Sequence, residues 1–298
     1  MAAITSQNVA QAIVKLVAAD ALPGLLGNLR MGNLVNRQYE PVLANAGDTV
    51  NVPIPPILTA NNIAESGSVQ TQNPSLGNAQ LTLSYHREST FQIPDVTAAI
   101  ASPDLRQVYL GSAVRAIAEQ IETDILSITP NFTALASVGA FNTPLIEGTV
   151  DLAEQRLFDA KVPASEERYL ALTSTAYSQL RQLGRFSELQ TIGSGDSIVT
   201  GDLMRIKGMV GFRTQYLTPV GSNTTNLAFT RNAIGLVTRK LPQVGPGMGA
   251  IQEFVDLGGF GMRVTMSYQP NTLSQQFTVD VLYGIAVFRN NFGVQVLS

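Results

Sequence analysis

The stretch SPDLRQVYLGSAVRAIAEQIETDILSIT, residues 102 to 129, predicts one long amphipathic helix. Ser102 suits the N-cap, and Pro103 suits the first helical position, where its missing N–H costs no hydrogen bond. At about 1.5 Å per residue such a helix would be roughly 40 Å long. The pattern alone is equally compatible with the long core helix of an ordinary domain.

Apolar side chains recur along this stretch at steps of three and four, which predicts one buried stripe. Its members are Leu110, Val114, Ile117, Ala118, Ile121, Ile125 and Ile128. The charged residues Arg106, Arg115, Glu119, Glu122 and Asp124 fall mainly elsewhere. We therefore expect a second, solvent-exposed stripe, on which Arg115 and Glu119 are spaced to form an ion pair.

The composition predicts a folded protein of one or two domains with few surface charges. Of 298 residues, 45% are apolar and only 14% are charged, which favours a surface largely covered by partners. A net charge of −3 without any basic run argues against an element that reads a DNA duplex. The chain has no cysteine, which excludes disulfides and thiolate sites. We expect a soluble protein without a secretory signal or a membrane span.

The segments before the long helix predict an arm and a projecting hairpin. Residues 9–17 give an amphipathic helix that packs either on its own domain or on a neighbouring subunit. The stretches DTVNVPIP (48–55) and AQLTLSYHRESTFQIPD (79–95) alternate as strands do. Residues 56–78 between them contain few large apolar side chains, so this ribbon must project or lie on another surface.

The segments after the long helix predict a mixed domain. TVDLAEQRLFDAKVP (149–163) indicates a short helix capped by Asp151 and Glu154. RYLALTS (168–174) indicates a buried strand, STAYSQLRQL (174–183) a helix, and the remainder mostly strands. Since there is no repeat or low-complexity linker, we expect one interwoven α+β unit.

Taken in order, these features resemble the major capsid (coat) protein of tailed bacteriophages, the Hong Kong 97-type fold. They are most similar to its short-tailed phage branch, without the inserted β-domain of larger members. The resemblance rests on the order of the arm, GDTVNVP (47–53), FQIPD (91–95), the long helix, NLAFTRNAIGLVTRKLP (226–242) and VDVLYGIAVFRNNFGVQV (279–296).

The resemblance implies four parts. These are an N-terminal arm (1–37), an extended β-hairpin loop (38–95), a peripheral domain (96–148 and 234–284) with its spine helix at 103–128, and an axial domain (149–233 and 285–298). In this family the spine helix lies beside a long β-sheet, and the extended loop reaches over an adjacent subunit.

The resemblance also implies a structural protein that assembles through pentamers and hexamers into an icosahedral shell around double-stranded DNA. Its expected partners are copies of itself, a scaffolding protein, a portal protein and a possible decoration protein, with no membrane. The shell would be assembled in the host bacterial cytoplasm. No lysine occurs between residues 38 and 95, which excludes the isopeptide weld that some relatives form from the loop. An encapsulin-type compartment shell and a β-rich tail or adhesion protein remain alternatives.

No catalytic, cofactor-binding or metal-binding residue is predicted. His86 is the only histidine and has no cysteine to share a metal, so we expect a surface or interface role. GPGMGA (245–250) and GGFGM (258–262) indicate turns or strand bends rather than a dinucleotide site. The adjacent Glu166 and Glu167 indicate a solvated turn before a strand.

Contact with packaged DNA is expected to be weak and independent of sequence. The chain carries 19 Lys and Arg against 22 Asp and Glu, so its inner face cannot be strongly cationic. Arg30, Arg37, Arg106 and Arg115 are the candidate contacts. Each is expected to pair with a carboxylate rather than to bind DNA.

Overall fold

The computed structural model describes residues 30–39, 49–56, 58–63, 65, 67–74, 77–100, 105–183, 205–217, 225–242, 250–257 and 260–298. Within these ranges the helices are α1 (Met31–Leu34), α2 (Asp95–Ile100), α3 (Leu105–Leu126), α4 (Glu147–Asp159) and α5 (Ser174–Gln182). The mixture of these helices with twelve strands in the described ranges confirms the predicted α+β class. The predicted helix over residues 9–17 and the GPGMGA turn, up to residue 249, lie outside the described residues.

The strands fall into a hairpin and two sheets. They are β1 (Thr49–Ile54), β2 (Gly77–Thr82), β3 (Tyr85–Pro94), β4 (Val138–Gly139), β5 (Arg168–Leu172), β6 (Met209–Arg213), β7 (Thr225–Thr230), β8 (Ile234–Arg239), β9 (Ala250–Leu257), β10 (Phe260–Gln269), β11 (Ser274–Val287) and β12 (Gly293–Leu297). Within the described ranges, β1 and β2 pair only with each other, in six antiparallel pairs.

The long helix predicted over residues 103–128 is present as α3, Leu105–Leu126. Its predicted N-cap Ser102 lies outside the described residues. α3 ends at Leu126, four residues before Pro130. Beyond its end, the hydroxyl of Ser127 donates to the Asp124 carbonyl and the hydroxyl of Thr129 donates to the Leu126 carbonyl. All seven members of the predicted apolar stripe, from Leu110 to Ile128, are buried. No described helix is long and apolar enough to cross a membrane.

The prediction that the charged stripe of α3 faces solvent is wrong for two of its members. Glu122 is 2% exposed and Asp124 is 6% exposed. Both are buried because the helix is covered on more than one side, by a sheet at Asp124 and by residues Met31 and Gly32 at Glu122. Sequence periodicity reports only the apolar side of such a helix.

The first sheet lies against α3 and has β11 near its centre. Its order is β3-β11-β10-β9, and β8 also pairs with β11. β3 and β11 run antiparallel over ten pairs, from Tyr85 opposite Tyr283 to Pro94 opposite Ser274. Val279, Val281 and Tyr283 of β11 belong to the same hydrophobic cluster as the apolar stripe of α3.

The second sheet has the order β4-β12-β7-β5-β6, with parallel pairing between β5 and β6 and between β12 and β4. Every residue of β5 and β7 is buried. Such continuous burial is expected for strands covered on both faces, here with α4 and α5 packed nearby. One hydrophobic cluster extends through α3 and both sheets.

The predicted return strand of the extended loop is divided in two. The stretch 79–95 forms two strands that separate at Leu83 and Ser84, and the second of them, β3, belongs to the first sheet. The alternation of Leu81, Leu83 and Tyr85 continues across this bend, so the pattern of apolar residues does not indicate it. β1 and β2 form a separate two-stranded sheet, and the boundary at residue 95 stays a prediction.

The predicted cap of the helix at residue 151 is also wrong. α4 begins four residues earlier, at Glu147, and its N-cap residue Ile146 is extended with no side-chain hydrogen bond. Asp151 and Glu154 lie inside the helix and form ion pairs instead, with Lys207 and Arg168. Gly148 lies in the first turn of α4.

Candidate assembly elements

The base of the β1–β2 hairpin is fixed to the first sheet by a small separate core. This core contains Val52, Ala79, Leu81, Val237 and Phe288, all buried, with Tyr39, Ile54, Leu83 and Ala286 packed around them. The rings of Tyr39 and Phe288 meet edge to face with centroids 5.4 Å apart. The hairpin is thus fixed to the first sheet at its base, which allows its outer part to project at a defined position.

Two glycines make room for this docking. A Cβ added at Gly284 would clash with the carbonyl oxygen of Thr82 and lie 3.3 Å from Cα of Leu83. At Gly235 the ring of Phe288 occupies the space that a Cβ would need. The chain therefore passes directly over the backbone of β11 as it leaves the hairpin, a close approach that requires glycine.

The connection between β1 and β2 carries exposed apolar side chains. Leu58, Ile63 and Val69 are 61%, 52% and 81% exposed. Across the ribbon, the amide N–H of Thr59 donates to Oε1 of Gln72 at 3.1 Å, and the Gln72 amide donates back to the Thr59 carbonyl. A ribbon of this kind has no core of its own, so its apolar side chains can be buried only on another surface.

Further exposed apolar side chains lie at the far end of the first sheet and on α4. Val96, Tyr268 and Leu273 form one group, held together because Tyr268 Oη donates to Asp95 Oδ2 at 2.8 Å and Asp95 N donates to the Leu273 carbonyl at 3.0 Å. Ile146, the N-cap residue of α4, and Leu152 and Phe158 within α4 are exposed individually. Exposed apolar groups of this size are typical of protein interaction surfaces.

A buried ionic cluster fixes α3 to the first sheet. Asp124 accepts two hydrogen bonds from the Arg87 guanidinium, at 2.9 and 3.0 Å, and one from the Gln120 amide at 2.8 Å. Tyr283 Oη donates to the same carboxylate at 2.5 Å. Burial, and then the bond to Asp124, raises the pKa of the Tyr283 phenol, so the phenol remains protonated. The cluster orients the helix on the sheet.

His86 belongs to a second ionic cluster of the first sheet, around Asp280. Asp280 is 2% exposed and accepts hydrogen bonds from Arg263 Nε at 2.9 Å and Nη2 at 2.5 Å. His86 Nε2 lies 3.0 Å from Asp280 Oδ2 while about half of its side chain is exposed. The surface role predicted for His86 thus includes a contact with a buried carboxylate. Among the described residues, no group of three or more His, Cys, Asp or Glu could hold a metal ion.

The adjacent Glu166 and Glu167 have different hydrogen-bond partners. Glu167 is exposed and accepts hydrogen bonds from Arg205 and Tyr169, each at 3.0 Å. Glu166 is half-buried, because its Oε1 accepts a hydrogen bond from the Asn232 amide at 2.8 Å. The prediction of a solvated turn therefore fits Glu167 and needs correction for Glu166.

Two of the candidate DNA-contacting arginines, Arg115 and Arg30, have different kinds of neighbour. Arg115 Nε lies 3.3 Å from Glu119 Oε1, which confirms the predicted pair. The Arg30 guanidinium lies over the Phe212 ring, 4.7 Å from its centroid. Arg37 is half-buried, and the side chain of Arg106 lies outside the described residues. A role for any of them in DNA contact stays a prediction.

Comparison with solved structures identifies the fold. A structure of Mycobacterium phage Che8 matches with a TM-score of 0.67 and 16% identity, over 90% of each chain. The capsid of Ralstonia phage GP4 matches at 0.61 and 10% identity, over 88% of this chain and 86% of that one. A virus-like particle from Pyrococcus furiosus matches at 0.55 and 12% identity, over 95% and 99%.

No protein-family model and no curated protein matches the sequence. The chain nevertheless has the fold of phage capsid subunits, which confirms the resemblance at the level of structure. Identities of 10 to 16% explain why sequence comparison finds nothing, because a fold is retained long after its sequence has diverged. The short-tailed branch remains a prediction.

Proposed function

We propose that this chain is a major capsid protein that assembles with copies of itself into a closed icosahedral shell around the double-stranded DNA of a tailed phage. The observation that carries the proposal is the likeness to phage capsid subunits over about nine-tenths of the chain. The low charged fraction of 14% supports it, because a subunit enclosed by copies of itself needs few surface charges.

The proposal assigns a part to each element. α3 is the spine helix and the first sheet is the peripheral domain, now including β3. The second sheet with α4 and α5 is the axial domain, which would surround the five-fold and six-fold axes. The β1–β2 hairpin is the extended loop. Its docked base and exposed apolar tip support a role in reaching over a neighbouring subunit.

Other partners belong to the same proposal. A scaffolding protein would guide assembly, a portal protein would occupy one vertex, and a decoration protein would bind the finished shell. Because the extended loop has no lysine from which to weld subunits, shell strength would come from non-covalent contacts. DNA contact would be weak and sequence-independent, and no membrane would take part.

Electron microscopy and light scattering of the purified chain, alone and with a co-expressed scaffolding protein, test the proposal. We expect closed shells built from pentamers and hexamers, and nuclease-protected double-stranded DNA in particles from the native source. A chain that stays monomeric under every assembly condition, with no shell in the native source, would rule the proposal out.

A second candidate function is an encapsulin-type compartment shell. It is favoured by the match to a virus-like particle from Pyrococcus furiosus, which covers 99% of that chain. The contents of native particles distinguish the two functions. Cargo protein without protected DNA would favour the compartment, whereas protected DNA would favour the virion.

A further inference from the structure

Residues 30–38, which we call the root segment, are built into the interior between α3 and both sheets. The side chains of Met31 and Val35 are fully buried. Asn36 N donates to the Ile234 carbonyl, and Leu236 N donates to the Asn36 carbonyl, both at 2.9 Å. The root segment is therefore bridged to β8 of the first sheet.

The same segment also contacts the second sheet and the residues that connect β7 to β8. The Asn36 amide donates to Asn232 Oδ1 at 2.7 Å, just after β7. Arg30 lies over the ring of Phe212 in β6. Release of the root segment would break contacts with both sheets, so its docking is a cooperative event.

The contact between the root segment and α3 depends on one buried carboxylate. Glu122 Oε1 accepts hydrogen bonds from the backbone N–H groups of Met31, at 2.7 Å, and Gly32, at 3.3 Å. The N-cap residue Arg30 makes no capping hydrogen bond with its side chain, and Glu122 satisfies donors at the start of α1 instead. Glu122 is 2% exposed.

Burial and the neighbouring groups determine the pKa of the Glu122 carboxyl. Burial raises its pKa from 4.5 to about 7, although the N–H bonds from Gly32, Met31 and Arg30 and the charge of Arg30 oppose this shift. Tyr216, after β6, lies close enough to Glu122 to feel its charge, and Glu119 lies one turn earlier on α3. Burial, and then the charges of Glu119 and Glu122, raises the pKa of the Tyr216 phenol.

We propose that Glu122 is a pH-sensitive anchor, which holds the root segment against α3 when its carboxyl is neutral and favours release when it is ionised. A neutral carboxyl can remain buried while its oxygen still accepts the Met31 N–H. An ionised carboxylate gains hydration if the segment leaves.

The direction follows from proton linkage. The docked state binds the proton more tightly than the released state, so docking is most favoured below about pH 4.5 and weakens as pH rises through about 7. For these two pKa values the equilibrium constant for release rises about tenfold between pH 6 and pH 8. The anchor is a property of one subunit and holds whether or not the proposed capsid function is correct.

Trypsin cleavage of the full-length chain tests the anchor, because Arg37 lies inside the root segment. Cleavage after Arg37 should accelerate about tenfold from pH 6 to pH 8, relative to a free peptide of the same sequence. Amide hydrogen exchange of residues 30–38, corrected for intrinsic rates, should change in parallel. E122Q should abolish this pH dependence. E65Q, which alters an exposed carboxylate in the connection between β1 and β2, should retain it.

A purely structural Glu122 would give a flat wild-type profile, or the same profile in E122Q and wild type, and either result would overturn the proposal. Infrared spectroscopy of the wild type provides a test that needs no variant. A band from a protonated buried carboxyl should disappear as pH rises through about 7, and its absence at pH 6 would also overturn the proposal.

Discussion

The Tyr283 hydroxyl donates a 2.5 Å hydrogen bond to Oδ2 of Asp124, and this bond joins β11 to the long helix across 159 residues of sequence. Arg87 of β3 binds the same carboxylate with two hydrogen bonds. One buried acid thus connects the helix with two adjacent strands. Its removal would leave a phenol and a guanidinium without their acceptor.

Replacing Asp124 with Asn should lower the free energy of unfolding by about 2 to 3 kcal/mol, because Arg87 loses its ionic partner and Tyr283 loses a charged acceptor. Y283F should cost about 1 kcal/mol, since it removes a single donor. Urea unfolding of isolated subunits measures both. E119Q, on the exposed side of the helix, should change the value by less than about 0.5 kcal/mol. Equal values for D124N and E119Q would contradict this account.

Replacing Gly284 with Ala should displace the base of the hairpin, because the added methyl group meets the Thr82 carbonyl. We expect a loss of about 1 to 3 kcal/mol in unfolding free energy and malformed or absent shells by electron microscopy.

Gly111 provides the matched control, since nothing lies within 4 Å of an added Cβ there. G111A should stabilise α3 by about 1 kcal/mol. If G284A and G111A behaved alike, the close approach at β11 would be unimportant.

Replacing Leu58, Ile63 and Val69 together with Ser should leave subunit stability within about 0.5 kcal/mol of wild type, because these side chains contact no core. Assembly should be lost or should yield fragile shells, as measured by light scattering. L81A should behave oppositely, with about 2 to 5 kcal/mol lost from the subunit, since Leu81 is fully buried at the hairpin base. Normal shells from the triple variant would argue against a loop that lies on a neighbour.

The unfolding free energy should fall as pH rises from about 4.5 to about 7, because folded Glu122 binds its proton more tightly than the unfolded chain does. The contribution of this group is at most about 3 kcal/mol. Urea unfolding at several pH values, with E122Q subtracted, isolates it from the other titrating groups. A difference between wild type and E122Q that is independent of pH would contradict the assignment.

The sequence predicted those features whose signal is local. The apolar stripe of α3 and the two strands around the ribbon follow from side-chain periodicity, and the order of these elements was enough to suggest the fold. The bend at Leu83 and Ser84 was missed, because the alternation there continues across it.

The buried carboxylates Glu122, Asp124 and Asp280 were not predicted, for a different reason. The partners Arg87 and Asp124 are 37 residues apart in sequence, and His86 and Asp280 are 194 apart. Nothing in the pattern of a single helix or strand indicates which distant group will bury a carboxylate. Glu122 and Asp124 therefore resembled ordinary solvent-facing acids, although each holds two elements together.

The central place of β11 in the first sheet has a consequence for synthesis. During translation β3 leaves the ribosome long before its partner β11. The base of the β1–β2 hairpin likewise cannot pack against Gly284 and Phe288 until β11 and the residue after it have been synthesised. The nascent chain thus carries an unpaired ten-residue strand, which makes folding slow and aggregation a competing outcome. We therefore expect the yield of folded subunits to depend on chaperones that shield residues 85–94 until residues 274–288 emerge.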